Sequence, residues 1–378
     1  MPLWALGRIL GREPFSLGGS LAARFGFLYI QDQSSMLPPL ALAPTSGSVV
    51  LDMCASPGGK TGMLAQMVGP EGLVVANEPN RTRMVTLQAN MRRMSHLNVV
   101  CSSYPGESIP LLDGRWPFIL CDVPCSGWGT ESRHPGIREL WPAEKTTVLR
   151  VLQRRILARA AALLAPGGRL VYSTCTTNPE ENERQVEWAV AELGLEGCEV
   201  PVFQGVVGRS DPQLGTLTVD GQASGSQGFF VALLGKKTCA VIDADSRPQT
   251  RARSAADETR GLGPGIVLPP GDTVIDQGRV FFRPGPALDV LPGPYKWKGT
   301  LLGRMTGSGL APASCLRTLL PGSMEEGVLL DELEGVRALL SGSSLPCGPK
   351  TPAFPGLYWR GLGLAWLQRK GRRCLIGP

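Results

Sequence analysis

The sequence predicts an α/β protein: an open, mostly parallel sheet with helices on both faces, followed by a smaller, mostly β domain. Three observations carry this expectation. Residues 48–234 alternate between short apolar runs and segments of helical spacing. The polar motifs of that region fall at the carboxyl ends of the apolar runs, where ligands of such sheets bind. Beyond residue 265 the chain breaks into short strand-like runs, Gly/Pro turns and clustered aromatics.

The elements follow in order. Ser48 to Met53 (SVVLDM) reads as a strand carrying an acid near its end, and Cys54 to Gly59 (CASPGG) as the turn after it. Lys60 to Val68 continues as a helix. Gly72 to Ala76 is a second strand, closing on Asn77 and Glu78, and Arg81 to Met94 has helical spacing. Asn98 to Cys101 is a third strand and Trp116 to Cys121 a fourth, ending at Asp122. Ala143 to Ala165 is the clearest helix, with Val148, Leu149, Leu152, Ile156, Ala160 and Leu163 at three- and four-residue steps. Pro166-Gly167-Gly168 stops it, and Arg169 to Ser173 is a fifth strand. Glu180 to Leu193 is a further helix, and Phe229 to Leu234 a late strand. Residues 236–265, rich in Arg, Ser, Asp and Thr without an apolar period, read as a linker.

Composition narrows the function classes. Of 378 residues, 43% are hydrophobic and 19% charged, which supplies a sizeable core and excludes a largely disordered chain. The net charge of +6 permits an acidic partner such as nucleic acid without requiring one. Ten cysteines without a CxxC pair, and only two histidines, His96 and His134, give no support to a zinc cluster and fit a reducing cytosol. No apolar run approaches a membrane span, and the apolar start, Met1 to Leu10, is broken by Arg8, Arg12 and Glu13, a poor signal peptide.

Three motifs carry chemistry. Asp52 to Thr61 (DMCASPGGKT) places two glycines between a strand and a helix, where the backbone can approach a ligand and helix N–H groups can meet it. An ordinary strand-to-helix turn is the plainer reading. Glu78, ending the second strand, suits ribose hydroxyls or serves as a helix cap. Asp122 to Gly127 (DVPCSG) and Ser173 to Thr176 (STCT) each put a cysteine, Cys125 and Cys175, just past a strand end. The remaining eight, Cys54 among them, read first as small buried hydrophobes. Two thiols beside a cofactor site shift the expectation toward nucleophilic chemistry.

In this order and spacing DMCASPGGKT, DVPCSG and STCT resemble the NOL1/NOP2/Sun family of RNA cytosine-5 methyltransferases. LYIQDQSSML (28–37), TNPEEN (177–182) and GFFVALL (228–234) are similar to further family segments, so the resemblance covers residues 26–235. It implies a Rossmann-like class I methyltransferase fold using S-adenosyl-L-methionine. Cys175 is then the nucleophile that adds to C6 of cytosine, and Cys125 the helper in product release. Asp122 protonates or hydrogen-bonds N3, and Lys60 either holds the active-site geometry or simply pairs with a carboxylate. The cofactor is held by Cys54, Ala55, Ser56, Pro57, Gly58, Gly59, Lys60, Glu78 and Asp122. The chain departs from the family pattern at Pro105, which stands where an acid meets the adenine amino group, and at 214–227, which lacks an Arg-Pro-His-like element. The N-terminal RNA-facing extension is nearly absent, through a short branch or a misplaced start.

The tail is similar to the PUA-like RNA-binding end of the bacterial ribosomal-RNA branch. Tyr295-Lys296-Trp297-Lys298 and Tyr358-Trp359-Arg360 interleave aromatics with cations, and Trp366, Arg369, Lys370, Arg372 and Arg373 follow. Such residues either stack on bases and meet phosphates, or are core aromatics beside a solvated basic terminus. The expected organisation is a short segment 1–25, a methyltransferase domain 26–235, a linker 236–265 and a PUA-like domain 266–378. The expected protein is a cytoplasmic monomer that methylates ribosomal RNA, with no metal and no membrane partner. Transfer RNA is the alternative substrate, and a non-catalytic ribosome-assembly factor the alternative class.

Overall fold

A computed structural model describes residues 3–11, 13–236, 268–307, 309–321 and 324–377. The expected linker, from residue 237 onward, lies outside the described residues, as does Cys239. The central sheet is built from β1 (Val49–Asp52), β2 (Leu73–Asn77), β3 (Val99–Ser102), β4 (Trp116–Asp122) and β5 (Leu164–Thr174), parallel in the order β3-β2-β1-β4-β5. Three short strands absent from the sequence reading, β6 (Leu195–Gly197), β7 (Gly208–Asp211) and β8 (Thr216–Val219), join β9 (Phe229–Lys236) as an antiparallel extension beside β5. The helices are α1 (Leu21–Arg24), α2 (Leu37–Leu42), α3 (Gly59–Val68), α4 (Arg81–Arg93), α5 (Ile137–Leu140), α6 (Thr147–Leu163) and α7 (Glu183–Glu192).

Alternation along the strands feeds two cores, one on each face of the sheet. Val50, Val74 and Leu120 pack with Leu42, Leu64 and Leu87 of α2, α3 and α4. Their neighbours Leu51, Val75 and Ile119 pack on the other side with Ile156, Leu157 and Val186 of α6 and α7. The apolar stripe of α6 is as expected except at its first residue: Val148 is 67% exposed while Leu149 is buried. The α-helix itself starts at Thr147, after a separate 3-10 turn over residues 143–146.

After residue 267 come β10 (Gly271–Asp276), β11 (Arg279–Pro284), α8 (Gly285–Val290), β12 (Trp297–Lys298), β13 (Thr300–Thr306), β14 (Gly309–Pro312), β15 (Val328–Leu330), α9 (Leu333–Leu340), β16 (Leu345–Pro346), β17 (Gly356–Trp359), β18 (Leu362–Lys370) and β19 (Arg373–Ile376). They form a four-stranded sheet, β10-β11-β13-β14, and a five-stranded one, β15-β17-β18-β19-β16, confirming a mostly β C-terminal region. One strand goes elsewhere: β12 pairs antiparallel with β3, Trp297 opposite Ser102, and adds an edge to the central sheet.

That pairing favours the second of the two readings of Tyr295-Lys296-Trp297-Lys298, in which the aromatics belong to the core. Tyr295 is buried, stacks on Tyr104 with ring centroids 4.9 Å apart, and donates its hydroxyl to Ser102 Oγ at 2.6 Å. Burial in this seam pushes its hydroxyl well above the ordinary tyrosine range. Lys296 N donates to Tyr104 Oη at 2.7 Å. Tyr358 and Trp366 are likewise inward, bonded to the carbonyls of Pro321 and Leu316. Extended segments bury aromatics on one side whether the covering partner is RNA or the chain itself. Here the chain supplies it. Lys296, Lys298, Lys370, Arg372 and Arg373 remain exposed.

Candidate active site

Parallel pairing brings the motifs together. β1, β4 and β5 are neighbours, with Asp52 level with Leu120 and Asp122 level with Ser173. The loops that leave β4 and β5 therefore emerge side by side, and Cys125 Sγ lies 3.3 Å from Cys175 Sγ. Asp122 sits beneath them. Its Oδ1 accepts from Ser173 Oγ at 2.8 Å and its Oδ2 from Lys60 Nζ at 2.7 Å. Lys60, at the start of α3, also donates to Ser35 Oγ at 3.0 Å and lies 5.3 Å from the Phe229 ring centroid. Of the two roles weighed for Lys60, the structure shows the pairing with a carboxylate.

The two sulfurs are electrostatically unequal. The hydrogen bond from Cys125 holds Cys175 below the ordinary thiol range, against burial and the Asp122 charge, with Lys60 assisting. Cys125 is held well above that range by the same hydrogen bond, with burial and the charges of Asp122 and Glu181 adding to it. Burial works against the Lys60 ammonium, but Asp122 outweighs it and holds the group above the ordinary lysine value. A pair of this kind has one sulfur ready to act as a nucleophile and one that keeps its proton.

A cavity opens beside the pair, lined by Tyr29, Gln31, Ser35, Asp52, Lys60 and Asp122, and by the loop Cys54–Pro57 with Gly59. The structure thus places Cys54, Ala55, Ser56, Pro57, Gly59, Lys60 and Asp122 of the expected cofactor set on its wall, and not Gly58 or Glu78. Cys54 is more than a core residue, although burial also pushes its thiol well up. Two walls offer unpaired acceptors: Gln31 Oε1 and Asp52 Oδ1 are buried and have no hydrogen-bond partner. Asp52 Oδ2 accepts from Thr61 Oγ1 at 2.7 Å, and burial raises the carboxyl to about 7. Orphaned acceptors at a cavity wall are sites for donors of a ligand. The α-amino group of S-adenosylmethionine is such a donor, so the residues present fit that cofactor. Sequence reasoning placed Asp52 at a strand end and gave it no role; its position within DMCASPGGKT was the available signal.

The glycines of that loop have a packing reason. Gly58 has φ +108, and a Cβ there would stand 2.6 Å from Met91 Cε of α4. At Gly59 a Cβ would meet Gln31 Oε1 at 2.7 Å and Tyr29 Cε1 at 2.8 Å. The glycines thus let this chain's own residues come close, while Gly59 also stands on the cavity wall. The loop is also bolted to α4: Arg83 Nη2 donates to Ser56 O at 2.9 Å and Asn90 Nδ2 to Pro57 O at 2.8 Å. Glu78 is 2% exposed, accepts from Asn80 N at 2.8 Å and faces Arg83 Nε at 3.5 Å. The cap of α4 is instead Asn80, whose Oδ1 accepts from Thr82 N and Arg83 N, and Glu78 holds the residue that caps. At the departure point, the carbonyl of Tyr104 accepts from Asn77 Nδ2 at 2.9 Å and that of Pro105 from Ser108 N at 3.1 Å.

Two further residues shape the site without having been singled out. Gly129 N donates to Cys175 O and Gly129 O accepts from Gly228 N, both at 3.0 Å. A Cβ at Gly129 would stand 2.1 Å from Gly228 O and 2.8 Å from Cys175 O. Glu181, inside TNPEEN, is buried behind the thiol loops, its carboxylate filled by donors from Ser126, Gln153 and Asn178. Among the described residues no group of His, Cys, Asp and Glu could hold a metal ion, and no helix is long and apolar enough to cross a membrane.

Comparison with known proteins places this geometry. The family model of the 16S rRNA methyltransferase RsmB/F matches residues 39–235. Ribosomal RNA small subunit methyltransferase F of Pectobacterium atrosepticum is 36% identical over 231 residues, covering 59% of this chain and 47% of the relative. Its namesake from Serratia proteamaculans is 37% identical over 232 residues, covering 60% and 48%. The chain spans about half the length of the curated relatives it matches. Among solved structures, NSun6 from Pyrococcus horikoshii with SFG superposes with a TM-score of 0.54 at 30% identity, covering 58% of this chain and 56% of that one.

Proposed function

The chain belongs to the RsmB/F family of 16S rRNA methyltransferases, and from that premise we propose that it is an S-adenosylmethionine-dependent RNA cytosine-5 methyltransferase acting on ribosomal RNA. The observation that carries the reading is the thiol pair, 3.3 Å apart, beside a cavity with unpaired acceptors. Methyl transfer to oxygen, nitrogen or protein side chains needs no such pair. The named relatives and the SFG-bound structure support the substrate class and the cofactor.

Cytosine C5 is a poor nucleophile. In the proposed reaction the Cys175 thiolate forms a bond to C6, and the displaced electron pair reaches N3. Asp122 hydrogen-bonds or protonates N3 there, drawing on the Lys60 ammonium 2.7 Å away. C5 is then an enamine carbon, able to take an electrophilic methyl group, which S-adenosylmethionine supplies when bound. Gln31, Asp52 and the Cys54–Gly59 loop hold the cofactor beside the sulfurs, with Glu78 toward its ribose. A base takes the C5 proton with Cys125 assisting, N3 returns its proton to Asp122, the C5–C6 double bond reforms as the C6–S bond breaks, and Cys175 leaves as the thiolate. The target base is unpaired or flipped out, since thiol and methyl approach from different directions. The exposed cations of the C-terminal region supply phosphate contacts, as a PUA-like RNA-binding arm following the linker would. Action in the cytoplasm as a monomer completes the proposal.

Gel mobility with ribosomal RNA and cofactor tests it. Cys175→Ala abolishes methylation and forms no covalent adduct. Cys125→Ala stalls before elimination and accumulates a protein–RNA adduct that survives denaturation. Full activity in both variants rejects the covalent mechanism.

A further inference from the structure

We propose that Glu181 is a positioning residue of the thiol pair: its buried carboxylate ties the Cys125 loop to the Cys175 loop and sets how the two sulfurs face each other. The proposal rests on the covalent reading above for its consequence, while the arrangement itself is testable without RNA.

The carboxylate is 0% exposed and is bonded only by neutral donors. Oε1 accepts from Ser126 Oγ at 2.5 Å and Asn178 Nδ2 at 2.9 Å. Oε2 accepts from Ser126 N at 3.0 Å and Gln153 Nε2 at 2.9 Å. Four donors converging on a buried anion are a built site and not an incidental contact. The donors are the flanks of the sulfurs. Ser126 follows Cys125, and Gln153 also donates to Pro124 O at 2.9 Å, so Cys125 is pinned on both sides.

Chemistry then fixes the direction of every proton in the link to Cys175. An ionised carboxylate only accepts, so the Ser126 hydroxyl points at Glu181. Ser126 Oγ is left to accept from Thr176 Oγ1, 2.7 Å away, and Thr176 Oγ1 accepts from Asn178 N at 3.2 Å. Thr176 follows Cys175. One anion thus sets the geometry of both loops, and without its charge the Ser126 and Thr176 hydroxyls are free to reverse.

The charges facing the pair are arranged asymmetrically. Asp122 faces both sulfurs. Glu181 acts on Cys125, and Lys60 on Cys175. Tyr172, whose hydroxyl donates to Glu181 O at 2.7 Å, is held neutral by burial and adds no charge. An anion behind one sulfur and a cation beside the other favour the proton on Cys125, which leaves Cys175 free to attack.

The test is selective alkylation of the full chain, without RNA or cofactor, by limiting iodoacetamide from pH 6 to 9, read by peptide mass spectrometry at Cys125 and Cys175. In the unmodified protein Cys175 reacts faster throughout. Glu181→Gln keeps the shape and removes the charge. We expect its Cys175:Cys125 rate ratio to fall about tenfold, with the Cys125 profile moving to lower pH. Ser126→Ala keeps the anion and cuts the link to Thr176, and it too narrows the ratio by displacing the sulfurs. Circular dichroism identifies folded variants. If Glu181→Gln does not fold, Ser126→Ala decides alone. A folded variant with unchanged ratio and pH profile overturns the proposal. Loss of selectivity in a protein that never methylates RNA upholds the positioning role and rejects the RNA reading instead.

Discussion

Asp52 couples cofactor binding to pH in a direction the structure specifies. Its carboxyl is raised to about 7, chiefly by burial, and Oδ1 has no partner. An ammonium donor can bind it well only when it is ionised. Between pH 7.0 and 5.5 the ionised fraction falls from one half to about 3%, so the apparent affinity should fall about sixteenfold, or about 1.7 kcal/mol. An α-amino group, with an ordinary pKa near ~8, stays protonated throughout and adds no slope of its own. The sign is firm. A raised carboxylate pKa means the free protein holds a proton that binding must expel, so affinity weakens as pH drops and binding releases protons. Titration calorimetry with S-adenosylmethionine across this range, repeated in buffers of different ionisation enthalpy, reads both quantities. Asp52→Asn should bind more weakly at pH 7, by about 1.5–3 kcal/mol, and show no slope. A flat profile in the unmodified protein, or a slope that survives in Asp52→Asn, refutes the assignment of Oδ1 to the amino group.

Gly129→Ala should cost about 3 kcal/mol and abolish methylation, because the clashing atoms are carbonyls of Cys175 and Gly228 with no side chain to yield; urea unfolding and activity measure the two effects. Tyr295→Ala should destabilise by about 3–5 kcal/mol through loss of a buried ring, against about 1 kcal/mol for Tyr295→Phe, which loses only the bond to Ser102; equal unfolding midpoints for the two would show that the ring does not dock. His96 is lowered from 6.5 to about 4 by burial and Arg317, so the unfolded chain binds its proton more readily and stability is lost as pH falls from about 6.5 toward 4, by up to about 3 kcal/mol. Asp52 has the opposite slope, so the His96 effect is read as the unmodified protein minus His96→Gln in urea midpoints at pH 4.5 and 7.

What the sequence disclosed and what it withheld have a physical pattern. Strands such as Val49–Asp52 and Leu73–Asn77 are apolar because both faces of a parallel sheet are covered, and that leaves a strong signal. Gly208–Asp211 is a strand with every residue exposed, and GRSD carries no apolar period to announce it. Cys125 and Cys175 were legible as loop residues past strand ends. Their contact depends on β4 and β5 being neighbours, which the spacing of motifs along the chain does not specify. Glu181 was hidden for a chemical reason. A buried anion satisfied by serine and amide donors has the same one-dimensional appearance as an acid near a helix start, since two of its donor residues, Ser126 and Gln153, lie on other segments. Tyr295 and Trp297 were visible as an aromatic–cation run, and the run did not say which polymer would cover it.

The pairing of β12 with β3 has a consequence for how the molecule is made. Tyr295 and Ser102 are 193 residues apart in sequence, so the contact closes one of the longest loops in the chain. During synthesis the five parallel strands are complete by Thr174, while the strand that covers their β3 edge has yet to emerge. Until then that edge presents bare backbone N–H and C=O groups beside the uncovered ring of Tyr104, a template for pairing with another nascent chain. Chaperone dependence and aggregation of the newborn protein should therefore track release of residues 295–298 from the ribosome, and not completion of the methyltransferase motifs.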